Sequence, residues 1–263
     1  MGKFILLLNL SLLIACTTQE KIVVPIDIVD GRPDQVSVDI ATIPDAVPQY
    51  EPWSKSVNPK KYMVLGKEYQ VLSTNKGYMK QGIASWYGTK FHQRKTATGE
   101  DYDMFAMTAA HKTLPIPSYV RVTNLDNQQT VIVRVNDRGP FHEHRIIDLS
   151  YAAAVKLGLE KAGTGFVEVV AVQAGEVSGT VPSAQAKHVY LQIGAFSEQK
   201  NALNLQHRFA ELRLTTSRIV SAQTRERSVY KVQVGPVASV IEADEIIEKI
   251  KNLGIYKSHF ISD

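Results

Sequence analysis

Two alternating runs constrain the centre of this chain more than any other feature. Tyr119-Val120-Arg121-Val122-Thr123 and Thr130-Val131-Ile132-Val133-Arg134-Val135 repeat with a period of two, and Asn124-Leu125-Asp126-Asn127 supplies a turn between them. That pattern predicts a β-hairpin with one face buried. Shorter strand-like runs surround it: two around Gly66 within residues 62–72, one over 82–88, and a last one over 167–172. A short helix is predicted where Ser150 can cap the alanine-rich run 151–157 and Gly158 can end it. Many short strands with so little helix predict a compact β-barrel. Cys16 is the one cysteine of the chain, so no intrachain disulfide can form and packing must hold the fold.

At 263 residues there is room for one or two domains, each with its own core. A net charge of +4 fits a polyanionic or membrane-proximal neighbour without requiring one. Lys3 and the apolar run 4–14 have the form of a signal sequence, too short to span a bilayer. Residues 17–52 carry prolines at 25, 33, 44, 48 and 52 and read as a flexible tether. Small polar residues over 175–186 read as a linker. Beyond it lies an internal repeat: Tyr190-Leu191-Gln192-Ile193-Gly194-Ala195-Phe196 is echoed by Tyr230-Lys231-Val232-Gln233-Val234-Gly235-Pro236-Val237. A helical run follows each, over 197–212 and 239–253. The order β-α-β-β-α-β predicts a small sheet with both helices on one face and the other left for a ligand.

Chemistry concentrates in residues 82–149. Gly82-Ile83-Ala84-Ser85-Trp86-Tyr87-Gly88 opens the stretch, Thr98-Gly99-Glu100-Asp101-Tyr102-Asp103 and Thr108-Ala109-Ala110-His111-Lys112 follow, and Val135-Asn136-Asp137-Arg138-Gly139-Pro140 and Arg145-Ile146-Ile147-Asp148-Leu149 close it. Acids, a histidine and aromatics at turns suit a site that grips a polar ring and moves protons. Giving up a proton near neutral pH needs an acid whose pKa is raised by burial or a like charge. Asp137, in a turn, and Asp148, before a helix cap, are the two main acid candidates, with Asp137 slightly favoured. A turn cap and a helix-start acid are their plain structural alternatives. His111 could hold an acid in place, contact an acetamido group of a substrate, or be a satisfied structural histidine. Trp86 and Tyr87 could stack on sugar rings or pack in the core. Arg138 and Arg145 could pair with acids or a sugar carboxylate. Zinc-ligand spacing, a phosphate loop, a Ser-His-Asp order and a basic-aromatic stripe for nucleic acid are all absent from the sequence.

These motifs, in this order, resemble the RlpA (rare lipoprotein A) family. The resemblance implies a mainly β chain: a six-stranded double-psi β-barrel followed by a small β-α-β-β-α-β SPOR domain. The implied organisation is a lipoprotein signal over 1–15, a tether over 16–52, the barrel over 53–174, a linker over 175–186 and the SPOR domain over 187–263. Leu13-Ile14-Ala15-Cys16 resembles a lipobox, which implies lipidation of Cys16, and Thr17 after it implies the outer membrane; an ordinary secretory signal is the alternative. The family implies a periplasmic, septal lytic transglycosylase that needs no metal or cofactor. It would cut between N-acetylmuramic acid and N-acetylglucosamine in peptide-free (denuded) strands and leave 1,6-anhydro ends. It also places Glu100 and Asp103 at the cleft as polarising or sugar-binding acids, and makes Gln192 and Gln233 the glycan contacts of the SPOR sheet; cross-sheet hydrogen bonding is their alternative. An expansin-like binding protein without catalysis is the rival reading. Many relatives read Phe-His-Gly-Arg where this chain has Phe91-His92-Gln93-Arg94.

Overall fold

The computed structural model describes residues 30–36, 38–53, 55–176, 188–212, 216–223 and 228–262. Cys16, the signal run and nearly all of the expected linker lie outside them.

A small hairpin comes first: β1 (Lys61–Val64) pairs antiparallel with β2 (Lys67–Gln70) around the Gly66 turn. Six strands then close a barrel: β3 (Met79–Tyr87), β4 (Thr108–His111), β5 (Ser118–Asn124), β6 (Thr130–Asp137), β7 (Arg145–Ser150) and β8 (Thr164–Val172), in the spatial order β3-β7-β4-β6-β5-β8. The expected hairpin is β5–β6. The barrel's character comes from two parallel pairs, β3–β7 and β4–β6, which antiparallel pairs knit together. Inward residues such as Ala84, Val120, Val133, Ile147, Leu149 and Val167 form one buried core. Ser150 caps α1 (Tyr151–Lys156) by accepting the Ala153 N–H at 3.2 Å, and Gly158 ends the helix with a positive φ of 70°.

A second unit follows: β9 (Val189–Phe196), α2 (Gln199–Glu211), β10 (Ser217–Gln223), β11 (Ser228–Val234), α3 (Val240–Lys251) and β12 (His259–Ser262), with an antiparallel sheet ordered β10-β11-β9-β12. Both helices bury Ala202, Leu205, Phe209, Ala243, Ile246, Ile247 and Ile250 against Val189, Leu191, Ile193, Val232 and Val234, which share one sheet face. The cluster also takes in Ile83, Leu125 and Phe166 from the barrel, and Phe166 meets Phe260 with ring centroids 5.2 Å apart. Ile83 of β3 and Phe166 of β8, which face out of the barrel, are therefore buried by the second unit, which sits on the barrel wall.

The segment expected to be a free tether as far as residue 52 departs from that expectation over its described residues. It lies along the barrel as a strap. Asp30 accepts the Gly88 N–H at 2.9 Å and Gly31 O accepts the Thr89 N–H at 3.0 Å. Ile40 enters the core. Asp45 accepts the Ile132 N–H at 2.9 Å and pairs with Lys156, while Glu51 grips Arg134 at 2.7 Å. Apart from one 3₁₀ turn, Ile40–Thr42, capped by Asp39, the prolines prevent a longer helix or an interior strand here but allow an extended chain whose polar groups are satisfied by the surface it crosses.

Gln93 has φ +63°, in the left-handed region, and its N–H donates to Tyr102 O at 2.8 Å. A side chain there is strained where glycine is not. Gln93→Gly is expected to raise stability by about 0.5–1 kcal/mol, read as a higher urea midpoint at unchanged slope. An unchanged or lower midpoint would mean that the turn carries no such strain.

Candidate active site

Three strands bring the two aspartates to one level. Ala110 of β4 is the register partner of Asp137 on one side and of Asp148 on the other. Two strand spacings put the two backbones about 9–10 Å apart. Both side chains are half-buried. Asp137 Oδ1 accepts the N–H groups of Ala97 at 2.8 Å and Arg138 at 2.7 Å, which fixes the carboxyl. Burial raises its pKa and outweighs those two donors and the Arg138 charge. Asp148 Oδ1 accepts the Ser85 hydroxyl, and Ser85 in turn receives Arg145 Nη1 at 3.3 Å. Burial raises the Asp148 pKa as well, against the pull of Ser85, Arg145 and Lys112. Gly139, at φ +142°, keeps the space beside Asp148 narrow but open: a Cβ there would stand 3.9 Å from Asp148 Oδ2.

Glu100 has a different character. Arg134 Nη1 donates to both its oxygens at 3.0 and 2.9 Å, and Asn136 donates at 2.9 Å. Burial works against ionisation, but these donors outweigh it and hold the pKa below the ordinary value. Glu100 is thus an anion that can polarise but not protonate. Arg134 also grips Glu51 of the strap, so one guanidinium serves two carboxylates. Asp103 is exposed, accepts the Phe105 N–H at 2.9 Å and stands 4.0 Å from His92 Nδ1.

Several residues expected to touch substrate are instead built into the frame. His111 is buried, its Nδ1 accepts the N–H groups of Thr113 and Leu114 at 3.1 and 2.9 Å, and Nε2 meets the Tyr78 hydroxyl at 2.8 Å. Two donors on Nδ1 place the ring proton on Nε2. Burial, with Arg138, Lys80 and Lys112, pushes the pKa down to about 3, so His111 is a neutral staple rather than a proton carrier. The folded pKa lies below the unfolded value of about 6.5, so the unfolded chain takes up the proton first as pH falls. The part of stability that depends on His111 is expected to be full above pH ~6.5 and to decline below it, and His111→Gln should flatten the slope by that part in urea titrations. Parallel slopes in both proteins would contradict this.

Arg138 spends its guanidinium inside. Nη1 donates to Leu114 O at 2.6 Å and His111 O at 3.2 Å, and Nη2 donates to Val57 O at 2.9 Å and Asn58 Oδ1 at 2.8 Å. Tyr87 is a core residue stacked on Tyr102 at 4.1 Å, and Trp86 packs on Tyr151 at 5.6 Å with its indole nitrogen buried. Apolar burial won at Tyr87, while Trp86 stays half-buried and lines a cavity beside Asp30 and Arg32 of the strap; strand alternation alone does not say which ring faces the cleft. Arg145 does reach the site through Ser85. In the second sheet, Gln192 and Gln233 are register partners on the face away from the helices, and both are buried. Gln233 Oε1 accepts Arg218 Nε at 2.9 Å.

The sequence reading passed over Ser85, Lys112, Arg134 and Asn136. Lys112 Nζ donates to His142 O and Arg145 O, both at 2.7 Å, and so holds the loop that leads into β7. Its place directly after His111 was the available signal. Burial pushes its pKa down to about 8.

A closed barrel with parallel crossings and a half-buried acid pair, joined to a two-helix sheet unit, defines a double-psi barrel protein with a SPOR module. A family model described as lytic transglycolase matches residues 79–169, and a SPOR domain model matches residues 185–262. The endolytic peptidoglycan transglycosylase RlpA of Vibrio cholerae is 40% identical over 237 residues, covering 89% of this chain and 88% of that protein. The protein of the same name from Pseudomonas aeruginosa UCBPP-PA14 is 38% identical over 284 residues, covering 86% and 82%. That from Neisseria meningitidis serogroup A is 45% identical over 202 residues, covering 76% and 83%. The chain belongs to the RlpA family of endolytic peptidoglycan transglycosylases.

Proposed function

We propose that this chain is a lytic transglycosylase of the cell wall that cuts peptide-free glycan strands and leaves 1,6-anhydromuramyl ends. The observation that carries the reading is the acid pair: Asp137 and Asp148 flank Ala110, and burial raises the pKa of each. Asp137 is the general acid. One cation acts on it, whereas Arg145 and Lys112 both act on Asp148 and favour its anion.

In the proposed step Asp137 gives its proton to the oxygen that links muramic C1 to the next sugar, and that bond breaks. The muramic C6 hydroxyl attacks C1 from within the same ring, and its proton passes to the Asp137 carboxylate. No water is consumed, and the acid is restored. An intramolecular nucleophile is already positioned, so one acid serves both halves. Asp148 and Glu100 offset the positive charge that develops on the ring.

Preference for peptide-free strands follows from charge. Removing a stem peptide leaves a free lactyl carboxylate on each muramic acid. The sheet face away from the helices carries a cross-strand row, Arg218, Gln233, Gln192 and His259, one residue from each strand; the two glutamines are buried, Arg218 is half-buried and His259 is exposed. Arg218 also lies over the Tyr190 ring at 3.4 Å. A guanidinium beside amides and an aromatic ring suits an acidic sugar polymer, and His259, whose pKa burial and the nearby Lys231 and Lys80 lower, adds a neutral ring. Lipidation of Cys16, outer-membrane anchoring in the periplasm and enrichment at the septum complete the proposal. The test is purified protein on peptide-free strands with mass spectrometry of the products. Anhydromuramyl ends are expected, and their absence with intact, bound strands would overturn the enzymatic reading.

A further inference from the structure

The seam between barrel and SPOR sheet forms an open cleft of about 510 Å³. Lys80, Gln81, Glu143, Glu168 and His259 give it donors and acceptors, and Met79, Ile146 and Phe260 give it apolar walls. The walls are fixed: Gln81 Nε2 donates to Glu168 at 3.0 Å and to Ser262 at 2.8 Å, tying β3, β8 and β12 together. Gly82 packs so tightly on Ile146 that a Cβ would come within 2.6 Å of it.

Its two ends matter. On the sheet side, His259 is the last residue of the polar row and the register partner of Gln192. On the barrel side, the seam residues Gly82 and Ile146 belong to the strands that carry Ser85 and Asp148, which are partners in register. Gly82 to Ser85 is three residues, about 10 Å along a strand. The cleft therefore lies between the row and the acid pair. Its mixture of one lysine, two carboxylates, an amide, a serine, two histidines (His144 and His259) and apolar walls matches a sugar with hydroxyls, C–H faces and a single carboxylate. It does not match a ligand with several anionic groups on one residue, because Glu143 and Glu168 would repel all but the one that Lys80 can meet.

We infer that the seam is a glycan subsite that takes muramyl saccharide from the SPOR sheet to the barrel acids, so that one strand occupies both domains at once, with Lys80 facing a lactyl carboxylate. This rests on the glycan reading of the two domains. It makes the SPOR sheet part of the substrate path rather than a separate anchor, and it makes strand length a determinant of affinity and rate.

The test uses the full chain and two variants, Lys80→Glu, which reverses the charge, and Met79→Trp, which fills the cleft. Circular dichroism and the urea midpoint confirm that both are folded. The ratio of cleavage rates on long peptide-free strands to that on a muramyl tetrasaccharide is expected to fall about tenfold in either variant. Dissociation constants for long strands, measured in the Asp137→Asn background, are expected to rise about tenfold. An unchanged ratio together with unchanged dissociation constants would overturn the inference. If the unaltered chain binds long strands but cleaves nothing, the enzymatic reading fails, and the binding constants alone decide whether the seam is a subsite.

Discussion

Asp137→Asn is expected to lower the turnover of peptide-free glycan by about 10²–10⁴-fold while leaving strand binding within a factor of about two. Asparagine keeps the shape and can still accept the Ala97 and Arg138 N–H groups at Oδ1, so the turn survives. What it loses is the transferable proton. The pH profile carries the same information. Burial raises the Asp137 pKa, so the acid form persists to higher pH than an ordinary carboxyl, and activity should fall as pH rises through that value. Asp148→Asn tests the division of labour. If Asp148 acts as the anion, its variant should lose activity and keep the limb that belongs to Asp137. A limb that vanishes with Asp148 instead would exchange the two roles. Two variants as active as the unaltered chain would remove acid catalysis from the account.

Arg138→Ala is expected to destabilise the fold by about 3–5 kcal/mol. The guanidinium joins the end of the strap at Val57 and Asn58 to the turn after β4 at His111 and Leu114, and it directly follows Asp137. Its loss orphans several part-buried acceptors at once. Lysine should recover less than half, because one ammonium cannot reproduce a planar fork. Urea unfolding of the three proteins reads the effect. A substrate-binding arginine would behave otherwise: stability unchanged, KM raised. That outcome would return Arg138 to the role expected from its position in the sequence.

Local patterns were legible in the sequence. The period of two in β5 and β6, the Ser150 cap and Gly158 stop, and the repeat at Gln192 and Gln233 each depend on neighbours a few residues away. The parallel pairings were not. β3 meets β7 across some sixty residues, Ser85 against Asp148, and nothing local in either strand encodes the partner. The acid pair was thus named from the sequence, while its assembly about Ala110 was visible only in the fold. The inward turn of His111, Tyr87 and Arg138 was hidden for a related reason. A polar or aromatic residue next to a motif has the same letter whether it faces a cleft or completes a core. The strap was missed because proline-rich sequence signals the absence of regular structure, and an extended chain can still be fully docked. Asp30, Asp45 and Glu51 each find a barrel partner, yet none sits in a periodic pattern.

The source of the oxygen in the product tests the central claim most directly. Peptide-free strands digested in heavy-oxygen water and analysed by mass spectrometry should give anhydromuramyl ends one water lighter than hydrolysis products, with no heavy oxygen taken up. Heavy oxygen at the new muramic ends would show that water, not the C6 hydroxyl, attacks C1, and would contradict the proposed mechanism.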